Sequence, residues 1–233
     1  MYTPTIKFPL LCFRGYAKTV DTKGIREVYD ATANGRDLKR FCSLNLFAPL
    51  QRTADGFNVP PPHIIFKAFG FKTMDDWDPL EMKEYHPGVY VSFQGKGWLD
   101  VQAHMLGLKQ CMGPQNAQLE DSGEKGVTLE DNLSSHNTCE VLTFWTQELS
   151  NFSLPEFIPP GMAEPIQAID RHIGIQYKEY TYLCIRKELT KRLRAARDAN
   201  GGADGVTVSP LTPRKKRIII THAIGEFHVK ITK

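Results

Sequence analysis

Two acidic residues, Asp131 and Asp170, stand where metal-dependent chemistry would need them. Asp131 follows the short strand-like stretch 127–130 and directly precedes a helix-like pattern. Asp170 lies in the first turns of a second helical pattern. The chain between them can hold one helix, one short strand and a return, so both carboxylates can meet at one edge of a sheet. Converging carboxylates bind hard divalent cations, and two such ions about 3.5–4 Å apart support phosphodiester cleavage.

Helix capping is the simpler explanation of the same residues. Asp, Asn and Ser accept hydrogen bonds from the free N–H groups of a helix start, and Asp131 is followed by the sequence NLSSH. His136 also fits a helix start. Residue types alone therefore leave both explanations open. Glu130, within the predicted strand, must either face water or find a partner.

An antiparallel group of strands followed by alternating helices and strands should position these residues. Strands are predicted at 40–50, 63–70, 89–93 and 127–130, the first two antiparallel. Helices are predicted at 98–110, at 135–149 with Ser135 or Asn137 as cap, and at 165–196, with a polar loop at 113–126. This order implies a mixed sheet with helices on its faces.

The composition fits one intracellular domain. The chain has 233 residues, 41% of them hydrophobic, which is enough for a sizeable core. Its five cysteines form no CxxC pair, which fits a reducing compartment. No apolar run approaches the roughly 20 residues of a membrane span, so no membrane partner is expected.

Basic residues concentrate near the C-terminus although the net charge is only +3. They are Arg186, Lys187, Lys191, Arg192, Arg194 and Arg197, followed by Arg214, Lys215, Lys216 and Arg217. Such a surface attracts phosphates without reading sequence. A solvated amphipathic helix is the alternative, because Glu188 and Asp198 interrupt the positive charge. The Arg214–Arg217 run also fits a nuclear-import patch.

Four stretches, in order, resemble the DDE-superfamily transposases of the pogo/Tigger kind. GRDLKRFCSLNLFA with HIIFKAFG resembles the family's early hairpin, and EYHPGVYVSFQGKGWLD resembles its Trp segment. LEDNLSSHNT resembles the block with the second catalytic Asp, and FIPPGMAEPIQAIDRHIGIQYK the block with the third. The resemblance spans about residues 8–195. It implies an α/β fold, an RNase H-like mixed sheet flanked by helices.

The resemblance assigns roles to particular residues. It implies that Asp131 and Asp170 are catalytic ligands of Mg²⁺ or Mn²⁺. It implies supporting or DNA-binding roles for Asn132, His136, Gln167 and Lys178. A surface position for Gln167 and a solvated charge for Lys178 remain the alternatives.

The first catalytic Asp of the family has no counterpart in this sequence. MYTPTIKF stands where that residue is expected, and no acidic residue precedes Asp21. We therefore expect two carboxylates rather than three, impaired cleavage, and a first central strand that is missing or incomplete. The sequence thus predicts an N-terminally truncated domain over 1–196, a flexible linker over 197–213 and a basic segment over 214–233.

The sequence predicts a transposase-derived DDE endonuclease domain that acts on DNA in the nucleus. The resemblance also allows a homo-oligomer in a synaptic complex. The alternative is a non-catalytic nucleic-acid-binding remnant of a transposase. A zinc site formed by His136, Cys139 and His172 is disfavoured, because Cys139 falls on an apolar helical stripe where a buried thiol is expected.

Overall fold

The computed structural model describes residues 2–3, 5–8, 42–47, 59–130, 133–159, 173–201 and 208–232, with only the backbone described over 2–8. Its strands are β1 (Tyr2–Thr3), β2 (Thr5–Phe8), β3 (Cys42–Asn45), β4 (His63–Lys67), β5 (Tyr90–Gln94), β6 (Leu129–Glu130) and β7 (Glu156–Phe157). Its helices are α1 (Pro79–Met82), α2 (Val101–Gly107), α3 (Gly113–Ser122), α4 (Cys139–Glu148), α5 (Gly174–Ala199) and α6 (Pro213–Ile231). A π-helical turn, Leu108–Met112, joins α2 to α3.

The strands form two sheets that share one N-terminal stretch. In the first sheet the order is β2-β3-β4-β5, antiparallel except for the parallel pair β4 and β5. In the second the order is β1-β6-β7, and all pairs are parallel. Since β1 and β2 are separated by a single residue, the stretch 2–8 borders both β3 and β6. It therefore occupies the position where the sequence predicts a missing or incomplete strand.

The two faces of the first sheet have different chemistry because the side chains alternate along each strand. One face is apolar: Leu44 pairs with Ile64, and Ile64 with Val91. The opposite face carries buried polar groups, with Asn45 opposite His63. Helices cover both faces, so the fold is mixed α/β, as the strand and helix order predicts.

The apolar face packs against the C-terminal half of the chain. Tyr177 of α5 and Ile218, Ile220 and Ile224 of α6 share one buried cluster with the residues of β3, β4 and β5. Each fully buried isoleucine contributes about 1.5–3 kcal/mol relative to an exposed one. The predicted basic segment over 214–233 therefore contains most of the 19-residue helix α6, which helps to build the core.

A second cluster lies between the helices on the other side of the sheet. Phe47, which follows β3, packs there with residues of the π turn and of α4, among them Met112 and Trp145. Val141, Trp145 and Leu149 form the buried side of the α4 segment. This layer holds α2 and α4 beside the end of β6.

Two local predictions are wrong. The polar loop predicted over 113–126 is helix α3, which has Pro in its first turn and ends at Gly123 with φ of 67°. None of its residues is buried, so its sequence lacks the apolar stripe that would predict a helix. The cap of α4 is Thr138, whose side chain accepts a hydrogen bond from the Val141 N–H, rather than Ser135 or Asn137.

Within the described ranges, no helix combines the length and apolar character needed to cross a bilayer.

Candidate functional site

Four of the predicted site residues lie outside the described residues: Asp131, Asn132, Gln167 and Asp170. The strand that leads to Asp131 is described. It is β6, which ends at Glu130 and lies between two parallel neighbours, β1 and β7. The predicted pair of carboxylates therefore stays a prediction, and the strand that leads to Asp131 lies at the centre of the parallel sheet.

A buried cluster of three ionisable side chains lies at the end of β6. Glu130 closes the strand, His104 comes from α2, and His136 comes from the turn that precedes α4. All three are fully buried. The Glu130 Oε2 atom lies 3.6 Å from His104 Nε2 and 3.5 Å from His136 Nδ1. One atom from each side chain can be chosen so that all three atoms lie within 4.8 Å of one another.

The two imidazole rings of this cluster are stacked. Their centroids lie 4.0 Å apart and their planes meet at 19°. Among the described residues, neither carboxylate oxygen of Glu130 accepts a hydrogen bond. The carboxylate thus faces two imidazoles away from the protein surface.

Contacts at both ends of α2 fix its position beside the sheet. Asp100 caps its first turn by accepting a hydrogen bond from the Ala103 N–H at 2.9 Å, and Gln94 of β5 donates to the same carboxylate at 3.0 Å. At the other end, a Cβ on Gly107 would lie 2.7 Å from His63 Nδ1. Only glycine permits this close approach, which brings His104 over the strand ends.

The polar layer continues from this cluster along the sheet. The His63 Nε2 atom lies 2.7 Å from Ser92 Oγ. Burial, with a smaller contribution from the charge of His104, lowers the pKa of His63 to about 3. His63 is therefore neutral in the folded protein at physiological pH.

The three side chains offer a definite type of donor set. Two imidazole nitrogens and one carboxylate suit borderline ions such as Zn²⁺, whereas Mg²⁺ prefers oxygen ligands alone. The set does not fit the predicted Mg²⁺ or Mn²⁺ pair, which needs Asp131 and Asp170. The sequence signal for the cluster is weak, because its members are spread from position 104 to position 136 with no motif. The one hint was Glu130, a charge inside a predicted strand.

The sequence also offered a disfavoured zinc site formed by His136, Cys139 and His172. His136 is fully buried, whereas Cys139 is exposed as the first residue of α4 and is not the buried thiol that the sequence predicts. His172 lies outside the described residues. The structure instead brings His136 to His104 and Glu130.

The predicted basic surface is present on α5. Arg186, Lys187, Lys191 and Arg194 are exposed and line an open groove of about 620 Å³, with Asp198 at its end. Among the described residues, none of these four cations forms an ion pair with a carboxylate. Lys178, on the same helix, is half-buried.

The run from Arg214 to Arg217 is divided between core and surface. Arg217 is buried, and its Nε and Nη2 atoms donate to the two carboxylate oxygens of Glu81 at 2.7 and 2.9 Å. Burial alone would raise the pKa of Glu81, but the hydrogen bonds from Arg217 and Tyr85 lower it on balance. Arg214 is exposed and pairs with Glu84 at 2.5 Å. The predicted phosphate-binding role therefore fails for Arg217, whose guanidinium is held inside the protein.

Lys215 and Lys216 form no ion pair with a carboxylate among the described residues. Lys215 is exposed and Lys216 is half-buried. These two lysines keep the charge that a phosphate or an import receptor would meet.

No protein-family model, no curated protein and no solved structure matches this chain. The resemblance to pogo/Tigger transposases therefore rests on the four sequence stretches alone.

Proposed function

We propose that this chain is a transposase-derived DDE endonuclease domain that acts on DNA phosphodiesters with Mg²⁺ or Mn²⁺, with cleavage impaired because the first catalytic Asp of the family has no counterpart. The observation that carries the proposal is the order of the strands. The resemblance requires a first strand that lies between the early hairpin and the strand bearing the second Asp. The stretch 2–8 pairs with β3, the first strand of the β3–β4 hairpin, and with β6, which ends one residue before Asp131.

The proposal gives the two carboxylates the central role. Asp131 and Asp170 would hold the divalent ions. When bound, these ions would activate a water or a 3′-hydroxyl and stabilise the leaving oxygen. His136 would act by orienting the end of β6 rather than by touching DNA, because its ring is fully buried against Glu130.

The substrate would lie along the basic groove of α5. Four exposed cations on one helix face supply an electrostatic surface for a phosphate backbone. Such contacts position DNA without selecting its sequence. Asn132, Gln167 and Lys178 keep the supporting roles that the resemblance implies.

A plasmid-nicking assay tests the proposal. Supercoiled plasmid is incubated with Mg²⁺ or Mn²⁺ and with wild type, Asp131→Ala or Asp170→Ala. The matched control is Asp121→Ala, which removes an exposed carboxylate from α3. We expect slow nicking by the wild type and the control, with loss in both active-site variants. Nicking that all four proteins share, or that persists in a chelator, would contradict the proposal.

A second candidate is a non-catalytic nucleic-acid-binding protein. The α5 groove favours it, because its cations would bind a backbone whether or not cleavage follows. This candidate predicts plasmid binding without nicking at any metal concentration, with an affinity that falls steeply with salt. Nuclear location is part of both candidates and depends on Lys215 and Lys216, so a Lys215→Gln/Lys216→Gln variant fused to a fluorescent reporter should lose nuclear accumulation.

A further inference from the structure

We propose that His104, Glu130 and His136 form a buried binding site for one Zn²⁺ ion. The site is distinct from the proposed pair of Asp131 and Asp170 and requires neither residue. It goes beyond the proposed endonuclease function, because it would stabilise the end of β6 whether or not the protein cleaves DNA.

The burial of Glu130 is the first argument. An ionised carboxylate inside a protein is strongly destabilising unless a positive charge or hydrogen bonds compensate for the lost water. Among the described residues, no hydrogen bond reaches either Glu130 oxygen. The ion pairs that the described residues offer Glu130 are those with His104 and His136. A cation bound among the three side chains would compensate the carboxylate charge.

The distances are the second argument. Separations of 3.5 and 3.6 Å from Glu130 Oε2 to the two imidazole nitrogens exceed the range of about 2.7–3.2 Å for a well-formed N–H···O bond. Two ligands held about 2.0–2.2 Å from a tetrahedral zinc ion lie roughly 3.3–3.5 Å apart. The 3.6 Å separation from His104 Nε2, whose ring keeps its place within α2, is therefore close to that of two ligands around a common ion.

The ligand types are the third argument. Two histidines and one glutamate form a known set of zinc ligands, with a fourth position left for water. Mg²⁺ and Ca²⁺ are disfavoured, because they require mainly oxygen donors. The fully buried surroundings would keep bulk water from competing with the protein ligands.

The stacked rings define the rearrangement that binding requires. The nitrogen lone pairs of two rings inclined by only 19° do not point to one position. One ring must therefore turn. His136 lies in the turn before α4, whereas His104 is held within α2. We expect the His136 ring to rotate and the stack to be lost when the ion binds.

Metal titration of the full chain tests the inference. Protein stripped with a chelator is titrated with Zn²⁺ in competition with a chromophoric chelator, and Co²⁺ serves as a spectroscopic substitute. We expect one ion per chain and the visible absorption of four-coordinate Co²⁺. Glu130→Gln keeps the side-chain shape and should weaken binding by at least about ten-fold, in line with the metal-affinity losses seen when supporting groups are removed; His136→Gln should do the same.

Two controls separate this site from other sources of binding. His222→Gln removes an exposed imidazole that bonds the Glu84 carbonyl, and it should leave the titration unchanged. Asp131→Ala should also retain Zn²⁺. If Asp131→Ala loses nicking but keeps Zn²⁺, the two sites are separate. If the stripped wild type nicks plasmid but binds no Zn²⁺, this inference fails while the proposed function stands.

Other outcomes would also overturn the inference. The absence of saturable Zn²⁺ binding by the stripped wild type would contradict the site. If circular dichroism shows that Glu130→Gln or His136→Gln does not fold, X-ray absorption at the zinc edge of the wild type identifies the ligands instead. Two imidazole ligands with one or two oxygens are expected, and a sulfur ligand or an all-oxygen shell would contradict the assignment.

Discussion

The basic groove of α5 offers the most quantitative prediction. The perturbation is the fourfold replacement of Arg186, Lys187, Lys191 and Arg194 by Gln. All four are exposed, and none is paired with a carboxylate among the described residues. The variant should lose affinity for duplex DNA and, more diagnostically, should lose much of the dependence of that affinity on salt.

The expected magnitude follows from the number of free cations. Each neutralised phosphate contributes a slope of about −0.9 to the plot of log affinity against log salt. If all four side chains contact phosphates, their joint slope is about −3.6. A rise from about 50 to 200 mM salt would then weaken wild-type binding by roughly 150-fold through these contacts alone. The nearby Asp198 makes this an upper value.

Fluorescence anisotropy with a short labelled duplex measures the slope. The matched control replaces four exposed lysines on other elements by Gln: Lys67, Lys83, Lys96 and Lys109. It has the same change in net charge, so it reports general electrostatic attraction. Equal slopes for the two variants would refute the assignment of the interface to α5.

Three further predictions concern stability. Arg217→Ala would leave the Glu81 carboxylate buried without its bidentate partner and should lower the free energy of unfolding by about 3–5 kcal/mol in urea titrations. Gly225→Ala would place a Cβ 2.1 Å from His86 Nδ1 and should cost about 1–3 kcal/mol, seen as a lower thermal midpoint. The pKa of His63, about 3 when folded against an ordinary 6.5, means that the unfolded chain binds more protons between these values. The contribution of His63 to stability is therefore complete above about pH 6.5 and is lost as the pH falls. In the presence of a chelator, the free energy of unfolding should be lower by about 2–3 kcal/mol at pH 4.5. The His63→Gln variant should lack this part of the pH dependence.

Matched controls make these stability predictions decisive. Arg214→Ala breaks an exposed pair with Glu84 and should cost less than about 1 kcal/mol. A Cβ on Gly113 would have no neighbour within 4 Å, so Gly113→Ala should not lower the thermal midpoint. Losses equal to those of Arg217→Ala and Gly225→Ala would contradict the packing described above.

The strands with a clear alternation of residue types could be predicted from the sequence. The 40–50 prediction contains β3. Cys42, Leu44 and Leu46 join one buried cluster and Phe47 joins the other, as the alternation of side chains along a strand requires. The antiparallel pairing of the first two predicted strands is confirmed as well. Alternation is visible in sequence because each face of the sheet has its own neighbours.

The features that depend on distant residues could not be predicted. Helix α3 has no apolar stripe because it lies on the surface. The role of Arg217 depends on Glu81, which is far away along the chain and has no local signature. The cluster of His104, Glu130 and His136 forms only when α2 packs against the sheet beside β6, so no spacing in the sequence announces it.

Crystals soaked in Mn²⁺ would test the central claim most directly, because anomalous scattering locates the ion independently of the protein atoms. The proposed endonuclease predicts an anomalous peak bound by the carboxylates of both Asp131 and Asp170, at about 2.0–2.3 Å from their oxygens and apart from the His104–Glu130–His136 cluster. A structure in which these two carboxylates lie well beyond 10 Å from each other, with no shared ion, would contradict the assignment.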